Sequence, residues 1–253
     1  MNQDSARQFA LYLTDAHPCA YLAGRQSRTL FVDPTAAIDS ASYQALINQG
    51  FRRSGAHVYR PHCHDCSACV PVRIPVADFQ PDRSQRRNWQ RNATAITSID
   101  TPAAFHPAHF ELYCRYLAAR HPSGDMAEDA SADNYRQFLI EPWGGVTRFI
   151  EFWLEDQLIG VAVTDELALG LSAVYTFFDP AIADRAPGVF AILTQIELAR
   201  RLALPYLYLG YWIQDCRKMA YKTRFQPLEA WNGVNWQLFA ATKHLGVTSL
   251  KAK

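Results

Sequence analysis

Residues 146 to 213 constrain the fold more than any other stretch of this chain. "VTRFIEFWL", "QLIGVAVTDE" and "LALGLSAVYTFFD", between 146 and 179, are rich in β-branched and aromatic residues and are separated by short polar turns. That pattern predicts three strands of an antiparallel meander. "PGVFAILTQIELARRLAL" (187–204) follows as a helix, opened by Pro187 and Gly188 and carrying Ile192, Ile196 and Ala199 on its inward face. "PYLYLGYWI" (205–213) then returns as a strand.

A β-β-β-α-β run whose helix starts near the end of the third strand matches the donor site of an N-acetyltransferase-like acyltransferase. Strand ends splay apart there, and free N–H groups at the helix start meet phosphate or carbonyl oxygen. Upstream, strands are predicted at 28–34, 57–61, 70–76 and 93–100, with helices at 41–51 and 78–92. Asp82 or Ser84 is the N-cap of the second helix. "TPAAFHPA" (101–108), with two prolines, reads as a linker. A helix at 109–121 places Phe110, Tyr113, Cys114 and Leu117 on one face, a polar loop fills 122–133, and another helix begins at Asn134. With 253 residues, 49% of them hydrophobic, there is material for two cores. The expectation is an α+β protein: a cysteine-containing αβ domain over 1–100, then an N-acetyltransferase-like (GNAT) mixed-sheet domain over 101–253.

No run of about 18 apolar residues occurs and the amino terminus lacks signal-peptide character, so a cytoplasmic protein without membrane attachment is expected. The net charge of +1 conceals local clusters. One cluster is sulfur. "YRPHCHDCSACVPVRIP" (59–75) spaces Cys63, Cys66 and Cys69 as CxxCxxC in a turn between two strands, and Cys19 offers a fourth thiol from a separate loop. Three local cysteines and a remote one suit an iron–sulfur cluster; His57, His62 or His64 would complete a zinc site instead. The alternative is buried free thiols. A four-thiolate site leaves no open position for substrate, so any metal here braces the fold.

A second cluster is cationic. Arg83, Arg87 and Arg91 recur every four residues with Arg86 beside them, and no acid lies between Arg83 and Asn92. Such a stripe suits a phosphate backbone, although charge runs are commonly solvated helix faces. In the third cluster, "YLGYWIQDCRKMAYKTRFQPLE" (208–229), a strand ending in Gly210, Tyr211 and Trp212 leads to Lys218, Lys222 and Arg224. Aromatic rings stack on bases and cations neutralise phosphate. Core aromatics followed by a solvated helix are the ordinary alternative.

These three motifs, in this order, resemble the bacterial members of the arginyl-tRNA–protein transferase family, and the likeness runs from "CAYL" near residue 19 to "FQPLEAW" near 231. The resemblance implies that an aminoacyl-tRNA, leucyl-tRNA in the bacterial branch and arginyl-tRNA in the eukaryotic one, donates its amino acid to the α-amine of proteins beginning with Asp or Glu. The products feed N-end-rule degradation. Ala186-Pro187-Gly188 stands where relatives carry Ser-Leu-Gly, and Cys216 is shared with the eukaryotic branch. The donor is already an activated ester, so no cofactor is required for transfer. The chemistry needs a deprotonated amine, an oxyanion site and a proton for the departing ribose hydroxyl. Tyr211 and backbone N–H groups are candidates for the oxyanion, and Asp215, or a water beside it, for the base; Asp215 reads equally well as a helix N-cap. Arg115, Arg120 and His121 are candidates for the acceptor carboxylate, with contact to the helix dipole as their ordinary role. Val174, Phe177 and Phe178 are available to line an apolar donor pocket, with core packing as the alternative.

Two other classes compete. A coenzyme A-dependent N-acyltransferase would need a glycine-rich basic loop before the long helix, where "DRAPGVF" offers one arginine and one glycine. A metal-braced RNA-binding module leaves "YLGYWIQDCRKMAYK" without a task.

Overall fold

The computed structural model describes residues 8–120 and 130–239. Its frame is an eight-stranded mixed sheet ordered β14-β13-β7-β12-β11-β10-β9-β8. The meander is as expected: β9 (Val146–Leu154), β10 (Gln157–Leu167) and β11 (Gly170–Phe178) pair antiparallel in succession. β8 (Ile96–Pro102) closes one edge against β9, while β12 (Tyr206–Trp212) runs parallel to β11. β7 (Val70–Pro75) lies on the other side of β12 and leads to the short β13 (Glu229–Trp231) and β14 (Trp236–Leu238). Strands from both sides of residue 100 therefore share one hydrogen-bonded sheet. The reason is physical: β7, buried from Val72 to Pro75, has two partner edges only inside this sheet.

Strand alternation gives the sheet two apolar faces. On one lies α5 (Pro187–Arg201), whose Phe190, Ile192 and Ile196 pack on Ile74, Phe152 and Leu207. Beside it is α2 (Arg83–Ala93), which contributes Trp89 to that core. The opposite face is covered by α3 (Pro107–Arg120) and α4 (Ala132–Leu139), whose Leu112, Leu117 and Tyr135 pack on Phe149, Val161 and Phe177. β10, covered on both sides, is buried almost throughout. α2 begins with a capping box in which the Asp82 carboxylate accepts from Gln85 N–H and the Gln85 side chain accepts from Asp82 N–H, so Asp82 and not Ser84 is the cap.

A smaller sheet, ordered β1-β4-β6-β5, sits against the large one. It comprises β1 (Leu11–Leu13), β4 (Thr29–Val32), β5 (Arg52–Ser54) and β6 (His57–Pro61); β2 (His17–Pro18) and β3 (Gln26–Ser27) form a separate ribbon. With α1 (Ser40–Ile47) it builds a third core around Tyr43, Phe51, Val58 and Trp143. The Arg53–Asp165 pair fixes this unit to β10, with Arg53 Nε donating to Asp165 Oδ2 at 2.6 Å and both side chains essentially buried. Arg53 also donates through Nη1 to Gly55 O and through Nη2 to Thr147 Oγ1 and Asp165 Oδ1, so each nitrogen of the buried guanidinium is hydrogen-bonded. Among the described residues no helix is long and apolar enough to cross a membrane.

Candidate functional site

β11 and β12 pair only where Gly170–Ser172 meets Tyr206–Tyr208. Beyond that point they separate, and a register break between Tyr208 and Gly210 bends β12 towards β7. Gly210 takes φ +71°, a conformation that L side chains rarely adopt. The wedge between the strands holds a small cavity of about 20 Å³, lined by Ala173 and Val174 of β11, by Gly210 and Tyr211 of β12, and by Arg52 of β5.

Arg52 and Arg53 are consecutive on a strand, so their side chains leave opposite faces. Arg53 goes to Asp165; Arg52 goes to the fork, with its guanidinium carbon 5.8 Å from the centre of the Tyr211 ring and 5.9 Å from that of Tyr59. A Cβ at residue 210 would lie 3.3 Å from Arg52 Nη1, so the glycine lets the cation approach the strand closely. Tyr59 foremost holds the Arg52 pKa above its ordinary value, against the opposing effect of burial. Lys222 arrives at Tyr211 from the other side. Its Nζ donates to the Tyr211 carbonyl and only 4% of the residue is exposed. Burial, and secondarily the charge of Arg52, pulls the ammonium pKa down to about 7. Among the described residues neither cation meets a carboxylate.

The other candidates are distributed as follows. The Tyr211 hydroxyl is buried and donates to Gly50 O at 3.0 Å, so its single proton is already engaged. Asp215 is exposed in the loop after β12; the cap position of α6 (Arg217–Ala220) is Cys216, without a side-chain cap bond. Arg83, Arg86, Arg87 and Arg91 all stand exposed on α2. Arg86 donates to Pro81 O, and Arg91 finds an acid after all, Asp184 at 2.6 Å across the interface with the turn before α5. Arg83 and Arg87 make no ion pair among the described residues. Arg224 is exposed and touches Ser84 Oγ at 3.3 Å, while the Gln85 side chain donates to Arg224 O, so α2 and the segment after β12 lie side by side. Lys218 is exposed with them. Lys222 differs: it points inward and presents no ammonium on the surface a phosphate backbone would meet.

Arg115 is paired with Asp179 at 3.4 Å, at the end of β11. Arg120 is exposed and hydrogen-bonds Tyr116, whose ring packs edge-on against Phe178 at 5.0 Å. His121 lies outside the described residues. Val174 lines the fork, but Phe177 is fully buried against Tyr113 and belongs to the core.

The four thiols of the sulfur cluster do come together. Cys19, Cys63, Cys66 and Cys69 line one cavity of about 180 Å³ with Tyr21, Tyr59 and Tyr211, immediately beyond the fork. The Cys69 thiol is pushed up to about 12, by burial first and then by Cys63, Cys19 and Cys66. Among the described residues no three His, Cys, Asp or Glu side chains converge closely enough to hold an ion. His62 and His64 are exposed, and His64 is turned to Asp65.

Comparison with known proteins bears on this arrangement. The amino-terminal model of the arginine-tRNA-protein transferase family matches residues 17–87, and the carboxy-terminal model matches 108–232. An aspartate/glutamate leucyltransferase of Chromohalobacter salexigens is 51% identical over 235 residues, covering 91% of this chain and 93% of that protein. One of Marinobacter nauticus is 48% identical, covering 91% of this chain and 96% of that protein. One of Stenotrophomonas maltophilia is 51% identical over 242 residues, 93% of this chain and 95% of that protein. Matched in both family segments and along nearly the whole length of such relatives, the chain belongs to the arginine-tRNA-protein transferase family.

Proposed function

We propose that this enzyme transfers leucine from leucyl-tRNA to the α-amine of proteins that begin with Asp or Glu, marking them for N-end-rule degradation. The observation that carries the reading is the 51% identity to an aspartate/glutamate leucyltransferase over 91% of the chain. The forked strands supply a place for the reaction. In transfer, the neutral α-amine attacks the ester carbonyl, a C–N bond forms, the C–O bond to the terminal ribose breaks, and the amine's proton ends on the ribose hydroxyl. Holding amine and ester together provides most of the acceleration, because the ester is already activated. We take residues 101–253 as an N-acetyltransferase-like unit and residues 1–100 as the cysteine-bearing unit that completes its sheet.

In this reading Arg83, Arg86, Arg87, Lys218 and Arg224 meet the tRNA backbone, and Arg91 joins them at the cost of its contact with Asp184. Arg115 and Arg120 stand at the rim beside the end of β11, where they attract acidic amino termini. Tyr211 orders the fork rather than donating to the oxyanion, which is left to backbone N–H groups; Asp215 is free in solvent to accept the amine's proton through water. Transfer requires no cofactor. Cys19, Cys63, Cys66 and Cys69 are the candidates for holding zinc or an iron–sulfur cluster that would brace the loops around the larger cavity, which would require their thiols to draw closer together than the structure holds them. The reading places the protein in the cytoplasm, where charged tRNA is found.

The test is transfer of labelled leucine from charged tRNA to a peptide beginning with Asp, without coenzyme A. Product is expected with leucyl-tRNA; product with arginyl-tRNA alone would assign the other donor, and product with neither would reject the reading.

A further inference from the structure

We infer that Arg52 is the specificity-determining residue for the acceptor, its guanidinium binding the side-chain carboxylate of the amino-terminal Asp or Glu at the fork of β11 and β12. The inference rests on the leucyl-transfer reading and adds to it a recognition site on the small sheet.

Three observations carry it. First, Arg52 is partly buried, yet its side chain has no hydrogen bond or ion pair among the described residues; the Tyr211 and Tyr59 rings lie near it at the distances given above, with Tyr21 and Tyr43 also around it. Its strand neighbour Arg53 is wholly satisfied by Asp165, Gly55 and Thr147. A semi-buried guanidinium left with aromatic walls and no acid is an anion site awaiting its anion. Second, the place is right. Arg52 lines the cavity between the separating strands, together with Ser172, Ala173 and Val174 from one and Gly210 and Tyr211 from the other. Gly210, without a Cβ, keeps the guanidinium accessible along the β12 backbone. Third, a second buried cation without a carboxylate, Lys222, is fixed to the same residue, Tyr211, through its carbonyl. The charge of Arg52 already acts on Lys222, and a carboxylate bound to Arg52 would offset it.

Carboxylate is favoured over tRNA phosphate for a reason of position. The cavity is small and recessed beneath the separating strands, whereas exposed cations that a nucleic-acid backbone can reach stand on α2 and after β12. A planar guanidinium accepts a carboxylate bidentately and offers only N–H groups to the amide nitrogen of Asn or Gln, so it rejects these near-isosteres.

The experiment measures kcat/KM for peptides beginning with Asp, Glu, Asn and Gln, using the full chain, leucyl-tRNA, and the variants Arg52→Gln, Arg52→Lys and Arg120→Ala, with deacylated tRNA binding measured in parallel. Arg52→Gln is expected to reduce the Asp-over-Asn preference by roughly 10- to 100-fold, the scale of a charged hydrogen-bonded contact, while tRNA affinity stays within about twofold. Arg52→Lys, which keeps a charge over the rings, retains part of the preference and guards against a folding defect in the first variant. An unchanged preference in a folded Arg52 variant overturns the inference, as does loss of tRNA affinity in step with activity, which would assign Arg52 to phosphate. A preference lost in Arg120→Ala and kept in Arg52→Gln overturns it too, and assigns acceptor recognition to Arg120. If the wild-type protein transfers no leucine, the functional reading fails separately. Calorimetry with Asp-Ala and Asn-Ala dipeptides then still decides: selective binding of Asp-Ala, abolished in Arg52→Gln, supports the site, and equal binding rejects it.

Discussion

The two faces of β5 hold adjacent arginines in opposite circumstances. On one face Arg53 is buried, paired bidentately with Asp165 and hydrogen-bonded through all three of its guanidinium nitrogens. On the other, Arg52 stands over two tyrosine rings without an acid. Burying a charge is tolerable in a fold when the partner is built in, and Arg53 shows that solution. An arginine held at the fork without its partner does nothing comparable for stability, which leaves it available to a ligand. The difference separates a residue that assembles the protein from one that serves its substrate.

The largest effect expected from breaking this contrast falls on the paired face. Arg53→Met leaves Asp165 buried without a counter-charge, with only neutral donors such as Thr147, and should lower the unfolding free energy by about 3–5 kcal/mol in urea denaturation. The double variant Arg53→Met/Asp165→Leu should recover much of that loss. Lys222→Met comes next, with the opposite sign. The fold holds the Lys222 pKa at about 7 against an ordinary 10.5, so between these values the native state binds fewer protons than the unfolded chain and wild-type stability rises with pH. The variant should therefore gain stability, on the order of 2 kcal/mol at pH 7 and below, and the gain should vanish as pH approaches 10.5. A gain that is independent of pH would contradict the buried-cation account.

Smaller effects are expected at the exposed cations. Arg83→Ala/Arg87→Ala should leave thermal stability unchanged and flatten the salt dependence of tRNA binding, the slope of log K against log[salt] falling by roughly one unit per lost phosphate contact. An unchanged slope would return the stripe to a solvated helix face. Least of all, Arg91→Ala removes an ion pair whose partners are about half and two-thirds exposed, and should cost less than about 1 kcal/mol.

Local signals made much of this molecule legible. The meander, the long helix with Ile192 and Ile196 inward, and the Asp82 cap follow from periodicity and capping chemistry within a few residues. The CxxCxxC spacing points to a shared sulfur site with Cys19, and the four cysteines line one cavity without converging closely enough to hold an ion. What the chain did not announce depends on distant partners. "VPVRIPV" reads as a strand, but nothing within it says that it inserts beside Tyr206–Trp212 instead of pairing with 57–61. The absence of acids near Arg91 suggested an unneutralised stripe, and Asp184 answers it from 93 residues away. Lys222 looked like a surface cation because "KMAYKTR" is polar, whereas the short helical turns after β12 rotate it inward. Arg52 and Arg53, consecutive in the chain, look alike until a strand sends them to opposite faces.

The most direct test of that division is to measure, on one preparation of Arg52→Gln, both its unfolding free energy and its single-turnover leucine transfer to an Asp-starting peptide. Stability within about 1 kcal/mol of wild type with transfer reduced at least roughly tenfold is the predicted result. Stability and transfer falling together, or transfer left intact, would contradict the assignment of this face of β5 to the substrate.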